Sequence, residues 1–510
     1  MRNVVSLSLL LILPFSCSLN VLIFAPTLSF SHVAFNGNIA KELVERGHTV
    51  TLLLSSVDDT VRYNASSGIE VIRVNVGIPN GLLTRSLWNN PGPYEDASPF
   101  NPAIFAKLMR VSSIFVRACS ELAKKSDLVS HLKARDYDVG LVEQYDSCGF
   151  GLFTALGIRS TVWLSATAVY RLQPEAIGVN YPLSYVPELF AHVDDRMSLF
   201  GKLENVLVAT VTELVSTFYS RAEETKMFKR LGVLPAASSL RDVSRGAHSI
   251  VLNANPLFDV PMPVSTQIVH VGGITVPDDV VYHLDQIWQA VVNQRNDGFV
   301  LVTFGSIAKT RDMPREMADS FRAGFAAFPN LTFIVKDEGV LRGQVVRSSA
   351  NVVRTSWLPQ LALMAQPQFR AIITHGGWSS ILESLYVGRP MILMPLFGDH
   401  AKNSQVVRAK EVGLLIDKMR VTPTVLINSV REIIENPKYA ANCVKFGSML
   451  KHSSPRRSAD LMEFTVRRAA KMAGAQTRWQ TPQEAFLSPL IVKGFDLVFP
   501  LLPLLFVLSI

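Results

Sequence analysis

The sequence predicts an α/β protein built from two Rossmann-like parallel-sheet domains that face each other across a cleft. Its 510 residues exceed one ordinary hydrophobic core, which points to two domains plus terminal segments. Short apolar runs alternate with helical periodicity in both halves, as expected where crossover helices cover a parallel sheet. A Gly- and Pro-containing connection from Gly272-Gly273 to Asp279 divides the two series.

The first series opens with the apolar strand Asn20–Ala25, followed by a loop from Pro26 to His32. Ile39, Ala40, Leu43 and Val44 then recur at helical spacing, Gly47 stops the helix, and Thr49–Leu54 forms a second strand. Tyr137–Val142 is a further strand candidate. Between them, residues 84–100 hold several Pro and Asn and read as a loop, while 101–132 read as helical. The second series places strands at Phe299–Phe304, Leu331–Val335, Ala371–Thr374 and Met391–Met394. These are mostly apolar runs, as parallel strands buried on both faces require. The predicted bounds are 19–277 for the first domain and 278–475 for the second. In such sheets a ligand sits beyond the carboxyl ends of the strands.

Both ends differ from the domains. A short basic start, the apolar run Val4–Phe15 and the small residues Ser16, Cys17 and Ser18 make residues 1–18 a secretory signal peptide. The triplets at Asn64 and Asn330 are glycosylation sequons that suit a lumenal chain. Residues 486–510 are rich in Leu, Val, Phe and Pro and are expected to anchor the chain to a membrane. Lys493 and Asp496 interrupt them, and the clean run Leu497–Ile510 falls short of the roughly 20 residues that span a bilayer as a helix.

The charge balance of +8 (50 basic against 42 acidic residues) is scattered apart from Arg456, Arg457, Arg467, Arg468 and Lys471. No aromatic-basic stripe accompanies it, so a nucleic-acid partner is not expected. With Cys17 in the leader, Cys119, Cys148 and Cys443 remain. Three thiols make no disulfide framework and no CxxC metal pattern, so they are expected as small buried apolar residues.

The densest chemistry lies between Trp357 and Gln405. One strand runs into Thr374-His375-Gly376-Gly377, and a helix starts near Trp378-Ser379. Two glycines let backbone approach a ligand, and a helix N-terminus offers free N–H groups and a positive dipole end, a candidate diphosphate cradle. Taken alone, the motif is equally a tight turn beside a core histidine. Glu383 lies one turn further on, on the face of Ser379 and Ser380, where its carboxylate can accept from ribose hydroxyls. Trp357 and Gln360 supply a flat face and an amide for a base. Asp399 and His400 follow the last predicted strand, and Ser306 adds a hydroxyl at another strand tip.

Together, Trp357-Leu358-Pro359-Gln360, His375-Gly376-Gly377, Glu383 and Pro395-Leu396-Phe397-Gly398-Asp399 resemble the signature of the UDP-glycosyltransferase family. The resemblance implies a GT-B arrangement in which Trp357 stacks on uracil and Gln360 contacts the base or ribose. Ser306, His375, Gly376 and Gly377 would bind the phosphates, with Ser379 close by. Glu383 would hold the ribose, and Asp399 with His400 the sugar hydroxyls. Ser379 and Ser380 stand where Asn and Gly are common, and His400 where many members have Gln.

His32 can take a proton from an acceptor hydroxyl, because an imidazole titrates near working pH. A carboxylate beside it would fix its tautomer. The resemblance implies that His32 is the base and that its partner is an acid upstream of a Cys-Gly pair. Two acids fit here, Glu143 by spacing and Asp146 if the loop curls.

These expectations describe an inverting transfer of a hexosyl group, glucuronosyl or glucosyl, from a UDP-sugar to a small lipophilic acceptor. No DxD motif is placed for a metal, and no cofactor is expected because the UDP-sugar is a co-substrate. A membrane and a second copy of the chain complete the expected partners, with the endoplasmic reticulum lumen as the site. One rival is a catalytically silent nucleotide-sugar-binding homologue. The other, a nicotinamide-dependent oxidoreductase, lacks the GxGxxG that should follow its first strand.

Overall fold

The structure is a computed structural model that describes residues 18–79, 81–82, 86, 92–96, 98, 100–143, 145–276, 283–452 and 457–473. The expected leader, apart from Ser18, and the 486–510 segment lie outside these residues, as does much of the 84–100 loop. Among the described residues no helix is long and apolar enough to cross a membrane.

Two seven-stranded sheets are present among the described residues. The first contains β1 (Asn20–Pro26), β2 (Thr49–Ser56), β3 (Ile69–Asn75), β4 (Val139–Glu143), β5 (Thr161–Ser165), β6 (Ser249–Leu252) and β7 (Ile268–His270). Their order is β3-β2-β1-β4-β5-β6-β7, and every pairing is parallel. The second contains β8 (Phe299–Thr303), β9 (Thr332–Lys336), β10 (Val345–Ser349), β11 (Val352–Thr355), β12 (Phe369–Thr374), β13 (Met391–Leu393) and β14 (Gly413–Leu415). It runs β10-β11-β9-β8-β12-β13-β14, with β10 and β11 alone antiparallel.

Each sheet reverses its winding once, between β1 and β4 in the first and between β8 and β12 in the second. Loops leave such a pair of strands in opposite directions and open a crevice at their carboxyl ends. The two crevices carry the predicted chemistry. His32 follows β1, Glu143 ends β4, Ser306 follows β8 and His375 follows β12.

The strands are apolar because both faces are covered. Leu22 and Phe24 of β1 point into one core, and Val21, Ile23 and Ala25 into another. The first of these cores is shared between the domains, joining Phe24 and Phe258 to Phe299, Phe369 and Trp378. The helix Ser458–Lys471, although last in the described chain, covers the first sheet through Met462, Val466 and Ala469. Arg46 clasps it by reaching Asp460 at 3.0 Å and Glu463 at 3.3 Å.

Two local readings change. The helix after β1 spans Phe30–Glu45, so His32 lies in its first turn rather than in the preceding loop. Residues 101–132 form two helices, Pro102–Ala123 and Ser126–Lys133, the first capped by Asn101 accepting the Ala103 N–H at 3.0 Å.

The cysteine reading is corrected. Cys119 and Cys148 form a disulfide with their Cα atoms 5.6 Å apart. Cys119 sits late in the Pro102–Ala123 helix and Cys148 opens the helix Cys148–Leu156. Their approach depends on how those helices pack, which spacing does not encode. Among the described residues Cys443 alone is free, and burial pushes its thiol up.

Closing a loop across a sequence separation of 29 restricts the unfolded chain, so Cys119→Ser is expected to cost about 2–4 kcal/mol of stability. Denaturant midpoints of wild type and variant read this. Equal midpoints, unmoved by reductant, would show that the thiols are unpaired.

Candidate active site

The first crevice holds a histidine–carboxylate pair. His32 Nδ1 lies 3.2 Å from Glu143 Oε1, with the histidine side chain 14% exposed and the glutamate fully buried. A carboxylate at Nδ1 leaves Nε2 as the basic nitrogen. Two further groups donate to Glu143: Asn36 Nδ2 at 2.7 Å and the Ala166 N–H at 3.3 Å. Burial of a charge is tolerated when its oxygens are satisfied in this way. Asn36 is one helical turn from His32 and also donates to its carbonyl at 2.9 Å. Tyr145 stacks on the imidazole with ring centroids 4.5 Å apart.

Asp146, the other acid, contacts a different group. Its Oδ1 accepts the Cys148 N–H at 3.1 Å, and burial pushes its carboxyl up to about 7. Glu143 closes the gap to His32 because it ends β4, directly beside β1.

The second crevice is built around the turn after β12. Gly376 has φ +90°, and a Cβ there would come within 2.8 Å of Ser404 Oγ and 3.2 Å of the His400 carbonyl. The His375 ring sits between Gly305 and Gly377, each of which would place a Cβ 2.6 Å from its Nε2. Gly377 then starts the helix Trp378–Tyr386 with no side-chain cap, so its first N–H groups face the cavity's polar end free to take an anion.

Neutral imidazoles line this end. Burial and the nearby Lys336 push His375 down to about 4, while Thr374 Oγ1 lies 3.0 Å from its Nδ1. Burial holds His400 well below the ordinary range, and His375 packs against it edge-on at 4.5 Å. His400 Nδ1 accepts the Phe397 N–H at 3.3 Å, which leaves Nε2–H as a donor. Lys336 donates to the Gly305 carbonyl at 2.8 Å and pairs with Glu338.

The remaining predicted residues converge here. Trp357 is 47% exposed and meets Phe30 of the first domain edge-on at 4.9 Å. Gln360 Nε2 donates to Glu383 Oε2 at 2.7 Å and to Ser380 Oγ at 2.9 Å. Burial raises Glu383 to about 7, opposed by that amide. Asp399 accepts from Asn403 Nδ2 at 2.7 Å. Burial raises its carboxyl, while Asn403 and the facing His32 pull the other way. Ser306 is exposed and Ser379 half-buried. The predicted sequon residues Asn64 and Asn330 lie elsewhere, and both are exposed.

Both crevices open into one cavity of about 1100 Å³ between the domains. Its first-domain side carries apolar walls of Phe105, Leu108, Val111, Phe115, Leu189 and Val211, with Asp96, Lys107, Ser112 and Thr167 set among them. Its second-domain walls carry Ser306, Trp357, Gln360, His375, Glu383 and Asp399. The arrangement can take a proton at His32 and hold an anion at the helix terminus beyond His375.

Sequence reading missed Asn36, Tyr145, Phe30 and Lys336. Asn36 becomes visible once His32 is known to be helical, since it lies four residues on. Lys336 ends β9, beside the crevice strand β8, and a basic residue at that strand tip was a usable signal. Tyr145 and Phe30 carry no pattern of their own.

Comparison with known proteins gives the same outline. Residues 20–483 match the family profile described as "UDP-glucoronosyl and UDP-glucosyl transferase". A Caenorhabditis briggsae protein, provisionally named UDP-glucuronosyltransferase ugt-47, is 26% identical over 97% of this chain and 92% of its own. The Mus musculus 2-hydroxyacylsphingosine 1-beta-galactosyltransferase is 28% identical over 84% of this chain and 76% of its own. The fold is similar to that of the glycotransferase of kitacinnamycin (TM-score 0.59, 19% identity, 88% of this chain and 99% of that one). It is equally similar to a variant of Os79 from O. sativa in complex with UDP (TM-score 0.59, 16% identity, 88% and 99%). The profile spans both sheets and every wall of the cavity between them, so the chain belongs to this family: it is a UDP-glycosyltransferase of GT-B architecture.

Proposed function

We propose that the enzyme moves a hexosyl group, glucuronosyl or glucosyl, from a UDP-sugar to the hydroxyl of a small lipophilic acceptor. The transfer is one inverting displacement that uses no metal and no further cofactor. One observation carries the reading: the His32–Glu143 pair and the free N-terminus of the Trp378–Tyr386 helix face the same cavity.

In this reaction His32 Nε2 takes the acceptor proton, and Glu143 stabilises the imidazolium that forms. The acceptor oxygen attacks the anomeric carbon as its bond to the β-phosphate breaks, and UDP leaves with the electron pair. Amides of the helix N-terminus, with Ser306 and Ser379, meet the growing phosphate charge. Trp357 stacks on uracil beside Gln360, Glu383 accepts from the ribose hydroxyls, and Asp399 with His400 holds the sugar. The apolar first-domain walls suit a lipophilic acceptor. A silent binding homologue fits less well, since Glu143 reaches His32 at 3.2 Å.

Membrane association in the endoplasmic reticulum lumen is part of the same proposal. The apolar ends of the sequence, the exposed sequons and the Cys119–Cys148 disulfide support it, because disulfides persist in oxidising compartments.

A panel of UDP-sugars with mixed phenolic acceptors should show acceptor-dependent UDP release. His32→Ala is expected to lower kcat by roughly 10²–10⁴-fold with UDP affinity nearly intact. If UDP affinity fell equally, His32 would be a structural residue.

Gly376→Ala, forced against Ser404 and His400, is expected to weaken UDP binding at least tenfold, roughly the worth of one charge-assisted hydrogen bond. Calorimetry on a folded variant checks this, and unchanged affinity would remove the diphosphate assignment.

Glu383 titrates at about 7 in the free protein, and ribose hydroxyls favour its ionised form. Affinity for UDP-glucose should therefore be flat above pH 7 and fall on acidification, approaching tenfold per pH unit. His375, at about 4, stays neutral through that window. Glu383→Gln should flatten the profile. A slope that persists in this variant would assign the titration to another group.

A further inference from the structure

We propose that Asp146, with Tyr170, Ser216 and Ser220, forms a polar subsite in the acceptor half of the cavity. It would select acceptors that carry a second hydrogen-bond-donating group besides the hydroxyl that reacts. The inference rests on the transferase reading above and concerns its acceptor.

Asp146 lines the cavity and lies in the turn between β4 and the Cys148–Leu156 helix. Its neighbour Tyr145 stacks on His32, so the turn that carries Asp146 lies beside the proposed base. Among the described residues the Cys148 N–H is the one hydrogen bond it accepts, and it forms no ion pair. Behind it stands Glu224, fully buried, with Oε2 accepting the Ser147 N–H at 3.0 Å and Oε1 without a partner. Arg221 donates to Ser147 Oγ at 3.2 Å and, with no hydrogen bond to Glu224 among the described residues, offsets part of that carboxyl's desolvation by its charge. Burial and the nearby Asp146 raise Glu224 far above the usual carboxylate range. Of the two desolvated carboxyls Glu224 is the fully buried one and Asp146 the one that lines the cavity, so a donor on the acceptor would reach Asp146 and favour its ionised form.

A second observation is independent of these acids. The cavity wall from Leu214 to Ser220 is a π-helix, inserted between the α-helices Leu199–Glu213 and Arg221–Arg230. Such turns are rare and concentrate at functional sites. This one brings Ser216 and Ser220 to the cavity, with Ser216 Oγ 3.1 Å from Tyr170 Oη. Three hydroxyls and a carboxylate thus share the cavity wall with Val208, Val211 and Val215. A hydroxyl or ammonium on the acceptor would give Asp146 a charge-assisted hydrogen bond. An ether or methyl at the same place would leave the carboxylate desolvated and unpaired.

The test uses matched phenolic acceptors: a diol, its monomethyl ether and an amine analogue, each with one hydroxyl in common. Wild type is expected to favour the diol over the ether by roughly 10- to 100-fold in kcat/KM, and the amine arm tells an ammonium from a hydroxyl preference. Asp146→Leu should collapse the ratio towards one, while Asp146→Asn, which still accepts, should keep an intermediate value. UDP affinity reports that each variant is folded. Should Asp146→Leu misfold, Tyr170→Phe combined with Ser216→Ala must reduce the same ratio. A wild-type ratio near one, or a preference that survives in folded Asp146→Leu, overturns the subsite alone. Absence of transfer to every phenol would instead sink the acceptor reading, and the subsite with it.

Discussion

The two halves of this enzyme are held in register by the indole of Trp378. It is the first residue of the helix that caps the second crevice, and its Nε1 donates to the Asn253 carbonyl of the first domain at 2.5 Å. Asn253 in turn donates from Nδ2 to the Ala166 carbonyl at 3.0 Å. Ala166 gives its N–H to Glu143, and Glu143 holds His32. A single run of hydrogen bonds therefore links the uncapped terminus of the Trp378–Tyr386 helix to the proposed base. Nearly all of it is buried, with Asn253 and Glu143 fully so. Low local dielectric strengthens each bond and makes a broken one costly. The run works alongside other contacts between the domains, among them Lys418 donating to the Pro93 carbonyl at 2.9 Å and Tyr386 to the Gly272 carbonyl at 3.1 Å.

Charge is handled differently on the two sides. Glu143 is buried, and three donors meet its oxygens. On the opposite wall the imidazoles of His375 and His400 are kept neutral by burial, so they offer hydrogen bonds rather than charge. In the proposed reaction the anion therefore meets oriented dipoles at a helix end, which need no reorganisation when the leaving group departs. A cationic cradle would hold UDP more tightly before and after transfer alike, and so would slow its release.

Much of the fold is legible in the order of the residues alone. Apolar runs locate every predicted strand to within one or two residues, because strands buried on both faces must be apolar throughout. The errors fall at strand and helix ends, where hydrogen bonding rather than hydrophobicity sets the limit. The start of the Phe30–Glu45 helix is one such case, and it moves His32 from loop to helix. The Glu143–Asp146 ambiguity is another. Periodicity places both acids near the crevice, but strand register alone decides which one meets the histidine.

By itself the sequence determined the architecture and picked out residues that line the second-domain wall of the cavity, since these sit in contiguous blocks at strand ends and a block keeps its meaning in one dimension. Only the tertiary structure decided the Cys119–Cys148 bridge, the partner of His32, the return of the Ser458–Lys471 helix to the first sheet, and the Trp378–Asn253 bond. Each joins residues distant along the chain whose meeting depends on how whole elements pack. That geometry arises from the summed burial of many side chains, and no local pattern records it.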